Sequence, residues 1–454
     1  MRTTSALAAL AAGTTILAAA ELKIPFEKYK LENGLRVILS KDNSAPVVAV
    51  YVIYDVGARS EQKGRTGFAH LFEHMMFQGS KNAPKGMHFE TVESNGGNLN
   101  GSTHPDFTDY FEVLPSNKLP VALWLEADRM RGLNITDENL TNQKEAVKQE
   151  RRLSFDNRAY ATAIVDEFPK VFFDNFQSNH SLIGSFEDLN AATVDDVAAF
   201  FKTYYAPNNA VLVIVGDIQT ADTKKWVEAY FADIPSQPRP PKPDLSEPAK
   251  KEAKWAEYKD PLAKLPAVVL AYPGPKRRSP DFYAMAMLDV LLTAGNSSRL
   301  NLALVKGKES VVGYEANLGW PFASTADYVD PEPYAMAFFY KPNFTAKQIV
   351  EQAEAEIDKI KNEGVPADEL ARIRTFLRSD RIRGVRTVLR RAQLLGQYDV
   401  FDGDPNMINT ELDQYLAVTS ERIQAAAKKY CDSSKRSVLA IVPAPKKSEK
   451  ESGQ

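Results

Sequence analysis

The chain has 454 residues, 44% of them hydrophobic and 25% charged, enough to bury a sizeable core and better matched to two or more domains than to one. Its formal net charge is −3, from 56 basic and 59 acidic side chains that read as well mixed along the sequence, so no basic footprint for nucleic acid is expected. The single cysteine, Cys431, excludes an intramolecular disulfide and a cysteine-rich metal site and is expected to pack as a small hydrophobe.

Residues 1–20 place Arg2 before an alanine-rich apolar run that ends in Ala18-Ala19-Ala20, the pattern of a signal peptide with a mature start near Glu21. Export, to the periplasm, is therefore expected. The rival reading, a mitochondrial presequence, has one arginine in its favour. No later run reaches the roughly 20 apolar residues of a membrane span.

Beyond that segment the sequence predicts strands at Leu35 to Ser40, Val47 to Val56, Asp109 to Pro115 and Val211 to Gly216, each a short apolar or alternating run. Helices are predicted at Gly67 to Phe77, Asn117 to Arg131, Asp137 to Arg152 and Val194 to Tyr204. Strands interleaved with helices that cover one face describe an α+β fold. A proline- and charge-rich stretch at 236–260 reads as a linker between two domains, 21–235 and 261–445. The last residues, 446–454, read as a disordered tail.

The two domains repeat each other. "APVVAVYV" at Ala45 to Val52 has a counterpart in "LPAVVLAY" at Leu265 to Tyr272. "TVDDVAAFFKTYYAPNNAVLVIVGD" from Thr193 parallels "TSERIQAAAKKYCDSSKRSVLAIVPA" from Thr419. In each copy of the second pair a threonine N-cap opens a helix that runs to a tyrosine, followed by a turn and a buried strand.

"HLFEHMMF", His70 to Phe77, carries the chemistry. His70 and His74 are i and i+4, hence neighbours on one helix face, and two imidazoles so placed can hold one zinc ion. Glu73 projects beside them without needing to ligate, where a general base belongs. His-x-x-Glu-His is the inverzincin order. The alternative is a core helix whose histidines are satisfied by carbonyls or solvent, although leaving two histidines and a glutamate idle on so apolar a helix is costly. A catalytic zinc needs a third protein ligand. Glu150 sits near the C-terminal end of a predicted helix, where a carboxylate gains nothing from the dipole. Ion pairing with Arg151 or Arg152 and metal ligation are the two explanations for it.

Together with "GARSE", "NGGNLNGSTHPDFTDYFEVLP" and "NQKEAVKQERR", these residues give a sequence that resembles the pitrilysin, insulin-degrading enzyme and mitochondrial processing peptidase family of zinc metallopeptidases, as a short bacterial-type member. The likeness spans nearly the whole mature chain, including the 75 residues between His74 and Glu150. It implies two homologous α+β domains, each a mixed sheet with helices on one face, forming a clam-like chamber. It implies one zinc ion per chain on His70, His74 and Glu150, Glu73 as the group that activates water, and Asn100 beside an extended substrate. The activity implied is endopeptidase cleavage of short or unfolded peptides, the alternative being a non-catalytic binding or assembly subunit.

Two departures from the family pattern stand out. The second domain has no histidine, and where two-domain relatives place an arginine and a tyrosine seven apart this chain keeps Tyr314 but has Gly307, with Lys306 adjacent. Tyr314 is the expected catalytic contribution of that domain. The missing arginine implies a homodimer, or a heterodimer with a family member that carries the Arg–Tyr pair. Gln143 stands where many relatives have a glutamate, and is expected to hydrogen-bond behind the metal ligands.

Overall fold

A computed structural model of the chain describes residues 23–321, 328–329 and 332–444. The expected signal peptide at 1–20 and the expected tail at 446–454 lie outside them. Strands β1 (Glu27–Lys30), β2 (Arg36–Lys41), β3 (Val47–Tyr54), β4 (Asn98–Thr103), β5 (Thr108–Pro115) and β6 (Ala210–Gly216) form a sheet of order β1-β2-β6-β3-β5-β4. Strands β7 (Lys254–Asp260), β8 (Ala267–Pro273), β9 (Val311–Leu318), β10 (Pro333–Tyr340) and β11 (Ser437–Pro443) form a second, of order β7-β11-β8-β10-β9.

Leaving β1 aside, the two orders are the same, and so is the sense of pairing. β2 runs parallel to β6, β7 runs parallel to β11, and every other pair is antiparallel. The repeat read from the sequence is thus a repeat of topology. Its helices begin alike: the Thr193 hydroxyl accepts from Asp196 N and the Thr419 hydroxyl from Arg422 N, each satisfying a backbone donor that the first turn leaves free. Strand β7 lies inside the stretch read as linker. Its residues alternate between half-buried and exposed until Asp260, an edge strand whose lysines and glutamate hide the apolar period.

Each sheet is covered on one face by helices of its own half, as the periodicity predicts, and on the other by a segment lent by the opposite half. The helix Val388–Asp402 places Ala392, Leu395 and Tyr398 against Tyr51, Ile53, Val211 and Val213 of the first sheet. In return Phe168, Phe172 and Phe173 pack on Val269, Ala271, Ala335 and Leu439 of the second. Covering both faces explains why β3 and β6 are apolar at nearly every position rather than alternating. Polar contacts reinforce the exchange. Arg59 pairs with Asp106 at 3.2 Å and also with Glu332, while Asp106 accepts from Val329 N at 3.0 Å and Arg36 pairs with Asp399 at 2.9 Å.

Candidate metal centre

The helix Phe68–Met75 opens on Gly67, whose φ of 81° is left-handed. A Cβ there would lie 2.5 Å from the Ile183 carbonyl oxygen, so only glycine fits this crossing. The Glu61 carboxylate accepts from Gly67 N and Ala69 N, both at 2.8 Å, and His180 Nε2 lies 3.0 Å from it. An anion at a helix N-terminus is favoured by the dipole and satisfies donors that no helical carbonyl reaches. Ala69, Leu71, Phe72 and Met75 then bury the helix against the first sheet's core, which leaves His70, Glu73 and His74 on the remaining face.

The helix Asp137–Arg151 brings Glu150 to that face. Glu150 Oε2 is 3.3 Å from His74 Nε2 and 3.7 Å from His70 Nε2. The arginines beside Glu150 are occupied elsewhere: Arg151 pairs with Asp156 and Asp166, and Arg152 donates to Gln149. Gln143, two turns earlier, sets its Oε1 3.3 Å from His74 Nδ1. That contact favours a proton on Nδ1 and turns Nε2 toward Glu150.

Electrostatics track the burial. Burial, with His74 close by, lowers His70 to about 4, so its ring is neutral at pH 7. Burial alone would lower His74 as well, but Glu150 and Glu73 hold it above its ordinary value. The hydrogen bond from His74 lowers Glu150. Burial pushes Glu73 up to about 7, against the hydrogen bond that Thr103 Oγ1 donates to its Oε2 at 2.7 Å. Thr103 belongs to β4, the outer strand of the sheet. On the same strand a Cβ at Gly101 would stand 3.1 Å from Glu73 Cγ and 3.0 Å from the Tyr110 ring, so glycine there leaves Glu73 its room.

The other predicted residues, Asn100 and Tyr314, make no hydrogen bond or ion pair with His70, Glu73, His74 or Glu150 among the described residues. Asn100 is exposed on β4, its side-chain oxygen accepting from Gly101 N at 3.0 Å. Tyr314, on β9, hydrogen-bonds Ser298 Oγ at 2.9 Å and donates to Thr293 O at 3.1 Å. No hydrogen bond, ion pair or ring contact among the described residues joins Tyr314 to His70, Glu73, His74 or Glu150. Lys306 donates to Asn296 O at 3.3 Å, within its own domain.

A second buried set, His88, Glu112 and Glu126, also has donor atoms within 4.8 Å of one another. There Arg129 already supplies the cation, its Nε donating to Glu126 at 2.9 Å. Burial raises Glu112 to about 8 and lowers His88 to about 3, so both are neutral at pH 7 and share a hydrogen bond.

A duplicated α+β scaffold with an inverted His-x-x-Glu-His helix in one copy defines the inverzincin class. The chain belongs to peptidase family M16: residues 36–184 match Insulinase (Peptidase family M16), and residues 191–377 match the Peptidase M16 inactive domain. The division between those matches precedes β6, which nonetheless completes the first sheet. The zinc protease PqqE of Helicobacter pylori is 26% identical over 92% of this chain and 93% of its own. The crystal structure of a protease from Helicobacter pylori superposes with a TM-score of 0.86 at 25% identity, covering 93% of this chain and all of that one. A probable mitochondrial-processing peptidase subunit beta of Arabidopsis thaliana is 22% identical over 72% of this chain and 64% of its own.

Proposed function

We propose that this chain is a zinc-dependent endopeptidase that hydrolyses short or unfolded peptides, and that His70, His74 and Glu150 hold one zinc ion. The convergence of three donor atoms on one point carries the reading. Ligands about 2.0–2.1 Å from a tetrahedral zinc stand roughly 3.3–3.4 Å apart. The separations of 3.3 and 3.7 Å to Glu150 fit that arrangement; a neutral His70 and an ionised Glu150 are ready for a cation, and His74, raised by its carboxylate neighbours, gives up its proton as the ion binds. A bound zinc ion supplies Lewis acidity, which lowers the pKa of water toward about 7 and polarises a peptide carbonyl.

Glu73 moves the proton. Its Oε2 is held by Thr103, which leaves Oε1 to accept a proton from the attacking water and return it to the leaving amine. Burial, which raises Glu73 above an ordinary carboxylate, helps it hold the proton between the two halves of that cycle. Among the described residues strand β4 pairs only with β5, which leaves its outer edge to bind an extended peptide through main-chain hydrogen bonds, with Asn100 exposed beside it. Support for a second subunit, a copy or a relative with the Arg–Tyr pair, comes from Tyr314, whose hydroxyl is engaged within its own domain, and from Gly307, which has no side chain to offer. Export to the periplasm rests on the composition of residues 1–20.

Replacing Glu73→Gln is expected to leave one zinc per chain while reducing peptide turnover by about 10²–10⁴-fold. Zinc-loaded Glu73→Gln with undiminished cleavage overturns the mechanism.

A further inference from the structure

The evenly mixed charge of the whole chain does not hold in one segment. From Arg372 to Arg391, eight arginines and a single acid, Asp380, occupy twenty residues, an excess of seven positive charges in a chain of net charge −3. The segment covers most of the helix Ala367–Gly384, a turn, and the start of Val388–Asp402.

Three of these arginines serve the fold. Arg374 donates to Val418 O at 2.9 Å, Arg381 reaches Ile408 O, and Arg391 donates to Val385 O at 2.6 Å and pairs with Asp42. On the solvent side the pattern changes. Arg372, Arg378 and Arg386 have no side-chain hydrogen bond or ion pair among the described residues, and Arg383 has only a loose pair with Asp380 at 3.7 Å. Between them Phe376 is 38% and Ile382 55% exposed. Helical spacing gathers Arg372, Phe376, Arg378, Ile382 and Arg383 onto the solvent-facing side of the helix Ala367–Gly384, and Arg386 follows in the exposed turn.

We propose that this face docks the protein on an anionic phospholipid surface. Guanidinium groups bind phosphate oxygens through paired N–H donors, and apolar side chains set among them enter the boundary between headgroups and acyl chains. Phe376 and Ile382 favour lipid over duplex nucleic acid, because apolar side chains among the arginines gain from the acyl boundary of a bilayer and add nothing to contacts with a phosphate backbone. A second copy of the same face is disfavoured, since a two-fold contact would set arginines against arginines. No helix among the described residues is long and apolar enough to cross a membrane, so the contact is peripheral. It is independent of the peptidase reading.

The test is co-sedimentation of the full chain with vesicles of phosphatidylcholine, alone or with about one quarter phosphatidylglycerol. Binding is expected only with the anionic lipid, and to weaken with salt. At about fivefold per arginine, Arg378→Gln/Arg383→Gln/Arg386→Gln is expected to bind roughly a hundredfold more weakly. Phe376→Ser/Ile382→Ser is expected to reduce binding while zinc content and unfolding midpoint hold. Absence of vesicle binding, equal binding to neutral vesicles, or binding unchanged in both variants overturns the proposal. So does a short duplex DNA or an acidic protein that binds this face more tightly than the vesicles and displaces them.

Discussion

The two halves are built on one strand order and differ in what they carry. The helix Phe68–Met75 packs on β4 in the first half as Pro280–Thr293 packs on β9 in the second. The first presents His70, Glu73 and His74. The second, "PDFYAMAMLDVLLT", offers a half-buried acid, Asp289, which desolvation pushes up to about 7 and which Thr293 engages through a hydrogen bond. The outer strands differ in the same way: Thr103 of β4 reaches across to Glu73, whereas Tyr314 of β9 turns to Ser298 and Thr293. Apolar packing against the sheet is what the fold requires of this helix, and both copies supply it. The donor set is an addition that only one copy carries, so function can be lost from a half without loss of architecture.

The largest structural effect is expected where the halves share a core. Leu395 is fully buried on a helix that the second half lends to the first sheet. Leu395→Ala should cost about 2–5 kcal/mol in denaturant unfolding, within a single transition seen by probes in both halves. Two separate transitions, with only one displaced, would show that the halves are energetically independent. Gln143→Ala removes the contact that orients His74 and should weaken zinc binding about 10–100-fold in competition with a chelator, leaving unfolding nearly unchanged.

A smaller effect concerns the His180–Glu61 clamp at the start of the histidine helix. Burial would lower His180, but Glu61 overrides it and holds the imidazole above its ordinary value. A base with a raised folded pKa binds more protons folded than unfolded. Its stabilisation is therefore complete below the unfolded value of about 6.5 and is lost as pH rises through the folded value. Urea unfolding of the wild type should show that loss between pH 6 and 8, and His180→Gln should flatten it. Equal slopes in the two proteins would mean that the clamp contributes nothing to the pH dependence.

The features legible in the sequence are those that local spacing controls. His70, Glu73 and His74 share a helix face because of their intervals, and Thr193 and Thr419 cap helices because an amphipathic run begins directly after each. Contacts between distant segments leave no comparable mark. Thr103 lies 30 residues from Glu73 and His180 lies 119 from Glu61, and neither pairing has a periodicity to betray it. The lent helices are invisible in the sequence for the same reason, although unbroken apolar runs in β3 and β6 imply a second covering layer. Strand β7 reads as linker because Lys254, Glu257 and Lys259 interrupt its apolar residues and Trp255 points outward. The arginine-rich face escapes a charge count taken over the whole chain, because its excess is local and is balanced elsewhere.

The central claim is that the first half alone holds the metal, through His70, His74 and Glu150. Metal content of the purified chain, measured for the wild type, Glu150→Gln and Asp289→Asn after equilibration with limiting zinc and a competing chelator, tests it most directly. One zinc per chain is predicted in the wild type and in Asp289→Asn, and at least a hundredfold weaker binding in Glu150→Gln, since a lost ligand should cost no less than a lost supporting contact. A wild-type chain without zinc, or a Glu150→Gln chain that retains it at wild-type affinity, would contradict the claim.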